Sequence, residues 1–373
     1  MLTVLFFLIL LSVLVLVHEL GHFIAAKKLG VVAEEFGLGL PPKVRRLFVW
    51  QGTEFTLNWL PLGGFVKMRG EDREIKDNEQ KTMSKEQKAK NKEQGFFFAQ
   101  PPWKRAVILV AGVFMNLVLG VAAFTSVYTV LGIPEERDVV VIDGVAPNSP
   151  AERAQLNQND VVNEFKVQSS KFKVNDTKQF IELINQHRGE EVTLIIKRGQ
   201  EEKEIVVTPR LESETPEGEG ALGVAISNIQ FIHYPRWQMP FRASVTGFKE
   251  ALAWGRNIIG GLGKMVFDLA THGKVPNDLA GPVGIAKITG EVAKRGWIPL
   301  FQLAGILSIN LAVVNILPIP ALDGGRLLFL GIEKLRGKPM DPKKERLAHL
   351  IGYTLLISLL ILITIKDLIG GVG

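Results

Sequence analysis

The sequence predicts a polytopic α-helical membrane protein of about four spanning helices, with a membrane-associated β-loop and an inserted α+β domain. Three observations carry that prediction. Apolar residues gather in blocks near residues 2–26, 106–133, 297–317 and 347–365, each close to the roughly 20 residues a helix needs to cross a bilayer. Between the first two blocks, short apolar stretches alternate with Gly and Pro, the punctuation of strands and hairpins. After the second block the composition becomes that of a small soluble domain.

Composition narrows the class further. Of 373 residues, 47 % are hydrophobic and the mean hydropathy is +0.18, which excludes an ordinary soluble enzyme. The net charge of +6 does not point to nucleic acid, because the basic residues sit beside the apolar blocks instead of forming one stripe. The absence of cysteine excludes disulfides, thiolate ligands and cysteine nucleophiles, so any hydrolytic metal must be held by His and carboxylate.

In order, residues 1–30 form the first spanning helix, ending at Lys27-Lys28 with Gly30 as a stop. A signal peptide is the alternative for this block, but it lacks a basic start and cleavage near Ala26 would discard the chemistry described below. Residues 31–73 form the β-loop, carrying Phe36-Gly37-Leu38-Gly39-Leu40-Pro41-Pro42 and Pro61-Leu62-Gly63-Gly64-Phe65-Val66-Lys67. It is either a plain antiparallel loop or a sheet whose free edge holds an extended peptide by strand addition. Residues 74–103 are a polar cytoplasmic loop, and 104–134 the second span, marked at its start by Trp103-Lys104-Arg105.

Residues 135–211 carry strand signals at Val139–Ile142, Asp160–Val162, Val192–Lys197 and Glu204–Thr208, with helices starting at Ser149-Pro150 and Asp176. An acidic linker, 212–236, precedes an amphipathic interfacial region, 237–296, in which Phe241, Val245, Phe248 and Leu252 recur at helical spacing. His272 there reads as a surface residue. The third span, 297–322, breaks at Pro318 and Pro320; residues 323–346 form a basic cytoplasmic helix or loop, and 347–369 the fourth span.

The chemistry sits in Val17-His18-Glu19-Leu20-Gly21-His22. On a helix His18 and His22 share a face, so both can hold one Zn²⁺ while Glu19 activates water. Ionisable groups at membrane depth are costly and by default functional. A catalytic zinc needs a third protein ligand, and Asp323, directly after the broken end of the third span, is the candidate; a helix-capping role is the plainer reading, and the two are compatible. Basic loops after the first and third spans place both metal motifs toward the cytoplasm, with residues 135–211 and both chain ends outside. A metal-binding transporter or sensor is the rival; it predicts further carboxylates or histidines in the second and fourth spans, whose apolar runs, 106–133 and 347–365, offer only His349 near an end.

With H-E-L-G-H in helix one, N-I-L-P-I-P-A-L-D-G-G at residues 315–325, P-L-G-G-F-V-K-M-R-G-E at residues 61–71 and Ala280-Gly281-Pro282-Val283-Gly284-Ile285, the chain resembles the bacterial site-2 proteases over nearly its whole length. Residues 135–211 are similar to a PDZ domain, with Gln155 and Gln158 where glycines are usual, and the chain is more similar to single-PDZ members than to those with a tandem pair. The resemblance implies an intramembrane zinc metalloprotease of the bacterial inner membrane, with zinc on His18, His22 and Asp323 and Glu19 as catalytic base. It also implies substrate contacts at Asn315 and at the β-loop glycines Gly37, Gly39, Gly63 and Gly64. The implied substrates are single-pass membrane proteins, such as anti-sigma factors or signal peptide remnants, cut after a first protease. The PDZ domain would bind a peptide or act as a bulky spacer. An inactive, PDZ-adaptor member is the alternative, although all four chemical positions are filled. Val113 stands where the group commonly has proline.

Overall fold

The computed structural model describes residues 2–71, 90, 94–168, 170–272, 280–338 and 340–369. The chain opens with α1 (Leu2–Leu29), the paired strands β1 (Ala33–Trp50) and β2 (Thr53–Met68), and α2 (Pro102–Leu131). Next come β3 (Ile133–Val145), α3 (Pro150–Arg153), β4 (Val161–Val167), β5 (Ser170–Lys173), α4 (Thr177–Gln186), β6 (Val192–Arg198), β7 (Glu201–Val207) and β8 (Val224–Ile232). Five helices finish it: α5 (Met239–His272), α6 (Pro282–Lys294), α7 (Trp297–Ile316), α8 (Asp323–Arg336) and α9 (Pro342–Ile369). Two compact units result, one from residues 1–127 with 243–373, the other from residues 128–242.

In the first unit α1, α2, α7 and α9 are long and apolar enough to cross a membrane. Glycines let them approach closely. A Cβ on Gly21 of α1 would stand 2.3 Å from the carbonyl oxygen of Ala111 on α2, and one on Gly120 of α2 2.5 Å from Ile309 of α7. The Ser308 hydroxyl donates to the Asn116 carbonyl (2.7 Å), joining α7 to α2. A buried ion pair between Arg105 and Glu333 (3.0 Å) joins α2 to α8.

Strands β1 and β2 each bend, so that residues 33–38 pair with both 53–57 and 64–68, while 43–50 pair with 53–58. Segment 33–38 is therefore interior and segment 64–68 has a free edge. Phe23 of α1, Phe36 and Phe55 pack ring against ring. Around them Val66, Met68, Phe97, Ile108, Leu109 and Leu330 complete a core that draws on α1, both strands, α2 and α8.

The second unit is an antiparallel sheet ordered β7-β6-β4-β3-β8, with β5 paired to β4. Helix α4 buries Phe180, Leu183 and Ile184 in a core with Val140, Ile142, Phe165, Leu194 and Ile196. The Ser149 side chain caps α3 by accepting from Glu152 N–H (3.1 Å). Gln155 adopts φ +60°, the left-handed conformation that glycine supplies most easily, and its carbonyl accepts from Arg198 (2.8 Å).

Several expected boundaries change. The linker over 212–236 contains β8, which pairs with β3 from Ile133 onward; a partner some 90 residues away leaves no local signal. The segment 323–346, expected as a cytoplasmic helix or loop, comprises helix α8 and the first turn of α9, so the fourth long helix begins at Pro342 rather than at residue 347. Region 237–296 is two helices, and α6 is not a lone interfacial segment: Gly284 N–H donates to the buried Asp367 carboxylate of α9 (2.8 Å), and Gly290 lies against Thr3 of α1. Most of the polar loop 74–103 lies outside the described residues, but at its end Phe97 is buried and its N–H donates to Arg69 O (2.8 Å).

Asp160 is fully buried and accepts both arms of Arg198 (2.7 Å each) together with Asn157 N–H (2.8 Å). Removing this carboxylate takes away three hydrogen bonds to a charged acceptor and leaves the Asn157 N–H without one, while the partly exposed Arg198 regains water. Asp160→Ala is expected to lower the opening free energy of β4 and β6 by about 3 kcal/mol, read by amide hydrogen exchange on the full chain.

Candidate metal centre

Helix α1 positions two imidazoles by spacing alone. His18 and His22, one turn apart and both buried, bring their Nε2 atoms to 3.1 Å with the rings edge to face (84°). The third group arrives from 305 residues further on. The loop Pro318–Leu322 reverses the chain at the end of α7, and α8 begins at Asp323, whose Oδ2 lies 3.0 Å from His18 Nε2 and 3.3 Å from His22 Nε2. Leu322, not Asp323, is the cap of α8, so the capping role for this aspartate falls away and its side chain is free for the cluster.

The donor set fits zinc. Tetrahedral bonds of about 2.0–2.1 Å to N and O place ligand atoms about 3.3–3.4 Å apart, close to the three observed edges. Among the described residues this is the one group of three or more such side chains gathered closely enough to hold a metal. Three ligand atoms leave a fourth position for water or substrate.

The imidazoles are oriented from behind. His22 Nδ1–H donates to the Ile108 carbonyl of α2 (2.8 Å), which leaves the Nε2 lone pair for a metal. The Asn116 side-chain amide, wholly buried, lies 3.3 Å from His18 Nδ1, and its Oδ1 is a buried acceptor with no hydrogen bond. With the amide turned half over, Oδ1 would accept from His18 Nδ1–H, the tautomer that frees His18 Nε2 for a metal. Gly112 makes room: a Cβ there would stand 2.4 Å from His22 Nε2 and 2.8 Å from His18 Cε1.

Glu19 faces the β-strands. Its Oε2 accepts Val66 N–H (3.0 Å) from the free edge of segment 64–68. The loop that leads to Asp323 is fixed by α9, where His349 Nδ1 accepts Ala321 N–H (2.8 Å) and Gly352 lies against Pro320 O, so close that a Cβ would stand 2.2 Å from it. Ala321 has φ +85°, a left-handed conformation that this support holds.

The other candidate site residues divide. Gly63 and Gly64 lie against Val15 and Leu16 of α1, one turn before His18. Gly37 and Gly39 belong to the sheet interior: a Cβ on Gly37 would strike the Phe65 ring, and one on Gly39 the Leu60 carbonyl. Asn315 is half-buried one residue before the end of α7, and behind the cluster it is Ile108 and Asn116 that meet the imidazoles. Gly112 and Asn116 went unassigned in the sequence, although their four-residue spacing puts them on one helix face and so could have marked them. The contributions of Ile108 O and Val66 N–H are backbone groups and carry no side-chain signal.

The profile of peptidase family M50 matches residues 6–359. Zinc metalloprotease RasP of Geobacillus kaustophilus is 31 % identical, the match covering 97 % of this chain and 96 % of that one. Zinc metalloprotease RasP of Oceanobacillus iheyensis is 30 % identical over 99 % of each chain. Regulator of sigma-W protease RasP of Bacillus subtilis is 30 % identical over 98 % of each.

Asn116→Ala is expected to weaken zinc binding about 10- to 100-fold, measured by competition with a chromogenic chelator. Gly112→Ala, which drives a methyl group into both imidazoles, is expected to lose zinc more completely in the same assay.

Proposed function

The chain belongs to peptidase family M50, and from that premise we propose that it cleaves the membrane-spanning segments of single-pass substrates at the His18–His22–Asp323 centre. That it is a zinc metalloprotease and a multi-pass bacterial membrane protein follows from the family, its relatives and its four long apolar helices. The observation that carries the finer proposal is the meeting of two imidazoles on one such helix with a carboxylate 305 residues away.

In this mechanism His18, His22 and Asp323 hold the zinc and Glu19 is the base. Zinc bound there supplies Lewis acidity, polarising a carbonyl and lowering the pKa of water to about 7. Glu19 takes the proton from the attacking water and passes it to the leaving amide nitrogen. The Val66 N–H keeps one oxygen of Glu19 in place (3.0 Å). A substrate helix has its backbone bonded to itself and must unwind before a carbonyl is reachable. The edge of segment 64–68, lying against α1 beside Glu19, offers the backbone groups of Gly64 and the Val66 carbonyl to such an unwound strand. Gly63 and Gly64 then belong to the substrate-facing strand, with Gly37 and Gly39 supporting it from the sheet interior, and Asn315 is assigned to the substrate's path.

The Bacillus subtilis relative's name, regulator of sigma-W, supports anti-sigma factors as the substrate class here, with signal peptide remnants as the second, both after a first cut. Basic residues after α1 and along α8 support a cytoplasmic-facing centre, with both chain ends and residues 135–211 outside. Residues 135–211 read as a PDZ domain completed by β8, able to take an extended peptide.

The test is cleavage of a reconstituted single-pass substrate by wild type and Glu19→Gln, with zinc measured on both. Wild type is expected to cut and Glu19→Gln to be slower by at least about 100-fold with its zinc retained. Cleavage by Glu19→Gln at the wild-type rate would remove the base assignment. Stripping zinc with a chelator is expected to abolish cleavage, and adding about one equivalent of zinc to restore it.

A further inference from the structure

The P-L-G-G-F-V-K-M-R-G-E stretch ends in a carboxylate that the mechanism above does not use. Glu71 employs both of its oxygens. Oε2 accepts Met68 N–H (3.3 Å), while Oε1 takes the guanidinium of Arg326 in α8. Glu71 N–H in turn donates to Met68 O (3.1 Å) across a turn in which Gly70 has φ +70°. Arg326 lies three residues after Asp323, on the same side of α8.

Alternate residues of a strand aim their N–H groups at the same edge. Arg69 N–H points inward to Val32 O (2.9 Å), so Val66 and Met68 point outward, Val66 to Glu19 and Met68 to Glu71. The contacts close a ring: α1 through Glu19 to the strand edge, along the edge to Glu71, across to Arg326, and through Asp323 back to His18 and His22.

We propose that Glu71, clamped by Arg326, is a register stop: it occupies the last outward N–H of the substrate-facing edge and thereby fixes which substrate peptide bond lies at the metal. The proposal rests on strand addition at that edge. A substrate strand can pair outward at Gly64 and with the Val66 carbonyl, the Val66 N–H being held by Glu19, but at Met68 both outward groups are taken, the N–H by the Glu71 carboxylate and the carbonyl by the Glu71 N–H. Without that stop, a slip of two residues keeps every substrate side chain on its own face and differs by one hydrogen bond. One such bond changes populations within about tenfold. Tying the stop to the helix that bears Asp323 sets the register against the metal itself.

The test maps cut sites by mass spectrometry on a reconstituted single-pass substrate, and register without catalysis. Because the chain has no cysteine, Lys67→Cys in the Glu19→Gln background can be disulfide-crosslinked to a series of single-cysteine substrates. Glu71→Ala is expected to give a second product two residues away, at about a tenth to a half of the total, and a second crosslink maximum displaced by two. Glu71→Gln keeps an acceptor for Met68 N–H and is expected to keep the single cut, a rescue that general loss of packing would not show. Arg326→Ala, which unclamps Glu71, is expected to shift in the same direction as Glu71→Ala, and it decides the matter if Glu71→Ala does not purify with zinc. A single, unmoved cut and crosslink in both alanine variants would overturn the register stop and leave strand addition standing. Absence of any crosslink position preference with Glu71 intact would remove strand addition, and the stop with it.

Discussion

Ionisable side chains inside an apolar bundle must find partners of opposite character, because neither lipid nor hydrocarbon side chains can solvate them. In this chain that constraint concentrates on three atoms, His18 Nε2, His22 Nε2 and Asp323 Oδ2, mutually 3.0 to 3.3 Å apart. A divalent cation satisfies all three at once. Much of the surrounding architecture serves their meeting. Gly21 and Gly112 bring α2 against α1, Ile108 and Asn116 hold the imidazoles from behind, and His349 and Gly352 of α9 fix the loop that delivers Asp323.

The same constraint explains the other buried charges of this unit. Arg105 and Glu333 neutralise each other between α2 and α8. Asp367 accepts a backbone N–H of α6 and lies against Gly281 and Gly284, which a larger residue would displace. A relay of carboxylates through the second and fourth spans, as a transporter would use, is not what Asp367 offers: it serves as an anchor for a short helix. The strands beside α1 add a different element, a free backbone edge next to the base, and in this geometry backbone groups do as much positioning as side chains.

Much of the centre could be read from residue order. His18 and His22 declare a shared helix face by their spacing, and Glu19 between them has no structural reason to stand in an apolar run. Asp323 stood out because two prolines break the helix before it. Strand segments of the second unit were readable where apolar alternation was strong, as in Val192–Arg198. The weaker β8 was not, because its partner β3 lies far away in the chain and it follows an acidic stretch that reads as linker. Region 237–296 misled for a related reason: the apolar stripe of α5 is largely exposed, as an interfacial helix requires, but α6 packs against α1 and α9 through contacts that periodicity cannot reveal.

By itself, then, the sequence determined which segments are apolar enough to cross a membrane, and that two histidines and a glutamate share a helix among them, since both follow from short-range spacing. The tertiary structure alone decided that Asp323 lies beside His18 and His22 with Leu322 as the cap of α8, that Asn116 and Gly112 lie against the imidazoles, that Gly37 and Gly39 are interior while the N–H groups of Val66 and Met68 point to the strand edge, and that Glu71 meets Arg326. Each of these depends on the approach of segments separated by tens to hundreds of residues. Such approaches are set by close packing and by the pairing of buried polar groups, and neither leaves a periodic trace in the chain.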